Sequence, residues 1–220
     1  MKQGVFITAT GTDIGKTELA CRLIEGLRTR GLEPIPRKPV VSGFGPPLAN
    51  TDPGRLLRAA GWPDERLDEV APHRFPDPLA PIHAAAAAGR SFGYDDFIEA
   101  AGGPGFRVVE GVGGLMVPLD GERTVLDAIV ELQLPVILVA GTYLGTLSHT
   151  LTAWRALGTQ SALPARVVLS ESLDPPMPTR SCVEALEGPL GHRPFVFPRQ
   201  GRGDLEALVS WCTEVGACAP

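Results

Sequence analysis

The chain has 220 residues, a formal net charge of −5, 26 glycines, 22 prolines and few aromatics. That length supports a full core in a single domain, and the glycines and prolines fall between periodic segments instead of forming a disordered tract. The acidic balance without a basic stripe argues against a nucleic-acid partner, and no apolar run reaches membrane-spanning length. Lys2 is followed only by a short apolar run, not the long one of a signal peptide. Cys21, Cys182, Cys212 and Cys218 lack metal-ligand spacing and read as reduced thiols of a cytoplasmic protein.

Val5-Phe6-Ile7 has the composition of a buried strand. It gives way to the small residues Thr8 to Thr12, and the stretch closes on Gly15-Lys16-Thr17. Leu19, Leu23, Ile24 and Leu27 then recur at helical spacing, so a helix is expected from Lys16 to Arg30, stopped by Gly31. Strand, small-residue loop, Gly-Lys-Thr and helix make a P-loop. Its free N–H groups and the helix dipole form a phosphate site. The Lys16 ammonium is expected on the terminal phosphates and the Thr17 hydroxyl on magnesium. The usual spacing requires glycine at position 10, where this chain has Thr10. Ala9 sits where a loop one residue longer would begin.

Further along, a strand is expected near Glu33 to Pro36, followed by Arg37-Lys38-Pro39-Val40-Val41-Ser42-Gly43. After a loop rich in glycine and proline, Pro53 marks the first turn of a helix capped by Thr51 or Asp52 and running through Gly54 to Ala60. Helices are expected over Pro81 to Ala88 and Tyr94 to Ala101. Phe106 to Glu110 reads as a strand that ends on a carboxylate and breaks into Gly111, Gly113 and Gly114. Thr124 to Glu131 is helical. Pro135 to Ala140 is apolar on both faces, as in the middle of a covered parallel sheet. A loop over Gly141 to Gly145 precedes a helix over Thr146 to Leu157. Strands at Ala165 to Leu169 and Pro194 to Val196 and helices at Thr179 to Leu186 and Asp204 to Val215 complete the pattern. Alternating strands and helices predict an α/β fold with a mostly parallel sheet covered by helices on both faces.

Ligands of such sheets bind outside the carboxyl ends of the strands. That rule gathers the P-loop, Lys38, Ser42, Glu110 with its glycines, and the Gly141 to Gly145 loop at one edge. Glu110 is costly to bury without a cation or donor, so it reads as a magnesium ligand or as a cap of the following turn. Lys38 reads as a site lysine or a solvated one. Asp52 is a second magnesium carboxylate or a helix cap, and Ser42 a ligand contact or turn chemistry. Thr146-Leu147-Ser148 could receive a carboxylate on its N–H groups or simply begin a helix. His149 reads as a packed helix residue, and His73, His83 and His192 have no evident partner.

Taken together, these segments resemble the dethiobiotin synthetase family, the ATP-dependent ring-closing enzymes of biotin synthesis. The resemblance rests on Thr10 to Thr17, Lys38 to Gly43, Asn50-Thr51-Asp52, Pro78 to Pro81, Val109 to Gly114, Leu134 to Val139 and Leu144 to His149. It implies a ligase acting on diaminopelargonate, CO2 and ATP. A carbamate forms, ATP converts it to a carbamic–phosphoric anhydride, and the second amine closes the ring. By motif, Lys38, Lys16 and Thr12 would be catalytic. Asp13, Ile14, Gly15, Lys16, Thr17, Glu18, Asp52, Glu110, Gly111, Val112 and Gly113 would surround the nucleotide. Thr17, Asp52 and Glu110 would form the magnesium sphere. Thr12, Lys38 and Ser42 would meet the substrate's reacting end. Gly145, Thr146, Leu147 and Ser148 would hold its carboxylate from the other subunit of a homodimer.

The chain departs from the family's pattern at Ala9, where glycine is usual. It departs again at Ser170-Glu171, where many members carry Asn-Asp with the asparagine on adenine. Ser170, Pro198, Arg199 and Gln200 are the expected base contacts. A P-loop switch ATPase of the partitioning type is the alternative. Such proteins usually add a lysine early in the loop, and here that region is Thr8-Ala9-Thr10.

Overall fold

The computed structural model describes residues 3–217, so Lys2 and Cys218 lie outside the described residues. Strand β1 (Gln3–Ala9) leads through the small-residue loop into helix α1 (Lys16–Thr29). Strand β2 (Ile35–Arg37) follows, then β3 (Val40–Ser42), α2 (Asp52–Ala60), the short α3 (Leu67–Val70) and β4 (His73–Phe75). Helices α4 (Pro81–Ala87) and α5 (Tyr94–Ala101) lead to β5 (Phe106–Glu110) and α6 (Val125–Leu132). The remainder alternates as β6 (Val136–Gly141), α7 (Thr146–Gln160), β7 (Ala165–Ser170), α8 (Thr179–Leu190), β8 (Phe195–Phe197) and α9 (Leu205–Ala217).

Six strands form one sheet in the order β2-β5-β1-β6-β7-β8, with every neighbouring pair parallel. Alternation along β1 and β6 divides the core. Val5, Ile7, Ala9, Ile137 and Val139 face α1 and α9, and α2 packs into the same cluster. Phe6 and Val136 face the opposite layer, which includes α5 and α6. Leu138, Ala140, Val167 and Leu169 meet α8 in a third cluster. All these side chains are buried, and each contributes about 1.5–3 kcal/mol if large. This is the expected parallel sheet covered on both faces.

Residues 35–43 behave differently from the sequence expectation. Strand β2 is shifted to Ile35–Arg37, and β3 leaves the main sheet to pair in parallel with β4. At the start of α2, Thr51 is the cap: its hydroxyl accepts from the Gly54 N–H at 3.2 Å, and Asp52 occupies the first turn. Cys21, Cys182 and Cys212 are free and buried.

Candidate active site

Three neighbouring strands build the ionic centre. In β1–β5 pairing Ile7 lies opposite Glu110, and in β2–β5 pairing Arg37 lies opposite Val109. Parallel strands lie about 4.8 Å apart, so the residues just beyond the last pairs arrive side by side. Lys38 Nζ therefore sits 2.6 Å from Glu110 Oε1, donates to the Gly111 carbonyl at 3.1 Å, and lies 3.4 Å from Asp52 Oδ2. The Thr17 hydroxyl, from the first turn of α1, donates to the same Glu110 Oε1 at 2.7 Å. Burial alone would lower the Lys38 pKa, but the charges and hydrogen bonds of Glu110 and Asp52 outweigh it and hold the ammonium above its ordinary value. Glu110 is 1% exposed, and its second oxygen, Oε2, is buried without a hydrogen-bond partner.

The phosphate loop lies over this centre. Lys16 Nζ donates to the Gly11 carbonyl at 2.8 Å. Burial, with the Lys38 charge second, lowers its pKa from 10.5 to about 8. Left-handed backbone occurs in the loop at Asp13 (φ 56°) and Gly15 (φ 99°). Ala9 ends β1 in ordinary extended form, and the Thr10 N–H donates to the Val139 carbonyl at 2.9 Å. Neither position needs glycine's conformational freedom, which is why the departure from the usual loop spacing is tolerated. Gly15 does need it, and a Cβ there would also strike the Ser170 hydroxyl.

Two hollows open beside the loop. The larger, about 620 Å³, is lined by Lys16, Thr17, Lys38, Asp52 and Glu110 together with apolar residues that include Val40, Val41, Pro78 to Pro81 and Val117. The smaller, about 130 Å³, is bounded by Glu18, Arg22, Ser170, Glu171, Phe197, Pro198 and Arg199. A Thr17 hydroxyl with the Asp52 and Glu110 carboxylates is a hard-oxygen set suited to magnesium, and the orphaned Glu110 Oε2 is an acceptor left over for it. Among the described residues no group of three or more His, Cys, Asp or Glu side chains could hold a metal. A cation here would therefore share its sphere with phosphate oxygens.

A family model described as an AAA domain matches residues 3–193. The ATP-dependent dethiobiotin synthetase BioD of Caulobacter vibrioides (strain NA1000 / CB15N) is 43% identical over 218 residues, covering 94% of this chain and 97% of the relative. That of Acidiphilium cryptum (strain JF-5) is 45% identical, covering 86% and 89%. The chain belongs to the ATP-dependent dethiobiotin synthetase family. Among solved structures, a ParA family ATPase from Chlorobium tepidum TLS aligns with all of this chain and 94% of its own, at 12% identity and a TM-score of 0.52. That likeness concerns the fold alone.

The synthetase motifs separate into three places. Thr12, Asp13, Gly15, Lys16, Thr17, Glu18, Lys38, Ser42, Asp52, Glu110, Val112 and Gly113 line the larger cleft. The Ser42 hydroxyl is buried there without a partner. Gly111 lies beneath, its carbonyl taken by Lys38 and its Cα backed by the Phe6 ring. Ile14 instead packs against the core. Ser170, Pro198 and Arg199 bound the smaller pocket, whereas Gln200 is exposed and does not line it.

Gly145 to Ser148 begin α7 away from both hollows. The buried Thr146 hydroxyl bonds the Gly141 carbonyl, Gly145 and Ser148 are exposed, and nearby Leu144 is 86% exposed. His149 is exposed, not packed: its Nδ1 lies 3.0 Å from the Tyr143 hydroxyl, which is 3.4 Å from Thr10 Oγ1. His192 also has partners, since its Nε2 accepts from the Val167 N–H at 3.4 Å and its ring lies 5.0 Å from Trp154. Sequence reasoning missed the apolar lining, Arg55 and Arg22. Of these only Pro78 to Pro81 carried a signal, as a family motif without an assigned role.

Proposed function

We propose that the chain closes the ring of dethiobiotin from diaminopelargonate, CO2 and ATP. The observation that carries this reading is Lys38. It is a second buried lysine lining the same cleft as the P-loop lysine, a cleft whose apolar lining suits a hydrocarbon chain. Relatives bearing this name across nearly the whole chain support the substrate assignment. An amine of the substrate adds to CO2 and loses a proton, giving a carbamate. The carbamate oxygen takes the terminal phosphoryl group of ATP, and ADP leaves. The second amine then attacks the carbamoyl carbon and loses a proton, the carbon–oxygen bond to phosphate breaks, and the cyclic urea and phosphate remain.

The protein's part in these steps is positioning and charge stabilisation. Lys16 and the loop N–H groups hold the β- and γ-phosphates. Lys38 faces the carbamate and the charge developing on the transferred group. Ser42, with its unpartnered hydroxyl, and Thr12 orient the reacting amines. Thr17, Asp52 and Glu110 would hold magnesium, which when bound supplies charge neutralisation on the polyphosphate.

The first turn of α7, where the Thr146 N–H donates to the Tyr143 carbonyl at 3.1 Å but Gly145 and Ser148 are exposed, and the exposed Leu144 beside it fit a homodimer in which each subunit completes its neighbour's site. The N–H groups at Gly145 to Ser148 would receive the substrate carboxylate across that boundary. A cytoplasmic location is proposed on the likeness to biosynthetic relatives over nearly the whole chain; among the described residues no helix is long and apolar enough to cross a membrane.

The test is phosphate release from MgATP and bicarbonate, with and without diaminopelargonate. Release that requires the diamine, with dethiobiotin formed in equal amount, is expected. Release indifferent to the diamine would favour a switch ATPase and overturn the reading.

A further inference from the structure

Glu18 belongs to both hollows. It lines the larger cleft beside Lys16 and Thr17, and it also lines the small pocket with Ser170, Pro198 and Arg199. Its carboxylate stands between two arginines. Oε1 accepts from Arg22 Nε at 3.0 Å, and Oε2 accepts from Arg55 Nη2. The arginines divide in the same way: Arg55 lines the large cleft and Arg22 the small pocket.

An anionic side chain so close to a phosphate site needs a reason, because it repels the ligand that Lys16 attracts. The flanking arginines offset that charge. What remains is an acceptor: an ionised carboxylate has about four lone-pair sites, and two are used here. The other acidic group at the small pocket is already committed. Glu171 Oε1 accepts from Thr179 Oγ1 at 3.0 Å, and its Oε2 accepts from the Arg199 N–H at 3.2 Å. The Ser170 hydroxyl lies against the Gly15 backbone.

We infer that Glu18 accepts a hydrogen bond from a ribose hydroxyl of the bound nucleotide and so selects ribonucleotides over deoxyribonucleotides. This rests on the ATP reading above. With phosphates at Lys16 and the base in the small pocket, the sugar crosses Glu18, the residue common to both hollows. A sugar hydroxyl is a donor, and a carboxylate is the acceptor chemistry that suits it.

The experiment is calorimetric titration of the intact protein with MgADP, the 2′-deoxy analogue and the 3′-deoxy analogue, repeated on Glu18→Ala. In the unaltered protein at least one deoxy analogue should bind roughly 10-fold more weakly than ADP, the effect of losing one hydrogen bond to a charged acceptor. In Glu18→Ala the three ligands should converge to within about 3-fold. Equal binding of all three by the unaltered protein overturns the inference without any variant and leaves the ATP reading standing. Discrimination that persists in Glu18→Ala overturns it as well, by assigning the sugar to another residue. No binding of any of the three would bring down the ATP reading and the inference together.

Discussion

The proposed phosphate end and the proposed base end of the site are built on opposite plans. At the phosphate end Lys16, Thr17, Lys38 and Glu110 are all buried, and hydrogen bonds join Thr17 and Lys38 to one carboxylate oxygen. At the base end Arg199 and Gln200 are exposed, the pocket holds about 130 Å³, and its walls are joined by Glu171 reaching from one loop to the next. Charges taken out of water must be paired to persist, so the contacts that hold the fold at the phosphate end are also the ones the chemistry would use.

That contrast can be broken first at Glu110. Glu110→Ala leaves the buried Lys38 ammonium with only the half-exposed Asp52 nearby, and should cost about 3 kcal/mol in chemical unfolding. Unfolding indistinguishable from the parent protein would mean that the pair is not structural. Lys38→Gln comes next. It should fold, yet lose about 100-fold or more in turnover, the scale of removing one preorganised donor. A near-normal rate would remove Lys38 from the mechanism.

Two glycines sharpen the comparison within the loop. Gly15→Ala must adopt φ 99° and press on Ser170, and should destabilise by about 1–2 kcal/mol. Gly11→Ala meets open space and should stay within about 0.5 kcal/mol. Similar melting curves for the two would refute the assignment of strain to Gly15.

The smallest effect concerns Lys16. Its folded pKa of about 8 lies below the ordinary 10.5, so the folded state binds a proton less tightly than the unfolded chain does. Stability therefore rises with pH across that window. Bound polyphosphate favours the ammonium form, so nucleotide binding near pH 8 should take up a fraction of a proton. Calorimetry in buffers of different ionisation heat reads this directly, and a binding heat independent of the buffer would exclude it.

The sequence made the phosphate loop and the carboxylate at the end of β5 legible, because both lie where an apolar run stops abruptly. It also located α7 and β6. It did not reveal that β3 and β4 form a separate sheet. Both are three residues long, and His73-Arg74-Phe75 has no apolar alternation to betray it. The Lys38–Glu110 contact was equally hidden, since it depends on β2 lying next to β5, a strand order no local pattern encodes. Arg107 is a further case. It reads as a polar position in a strand, yet it is 4% exposed, and Nη1 donates to the Ala101 carbonyl at 3.2 Å.

The register of β2, β5 and β1 makes the sheet a ruler. The gap between the Lys38 ammonium and the Glu110 carboxylate is graduated by strand spacing, not chosen by the loops that follow. Lengthening a connection far from the strand ends, such as the exposed turn around Gly121, leaves every mark in place. Deleting one residue inside β5 erases them, because Glu110 would step back to the opposite face, into the place of Val109, and Gly111 would take its position beside Lys38. Loops far from the site can thus change length without moving these groups, whereas β2, β5 and β1 cannot.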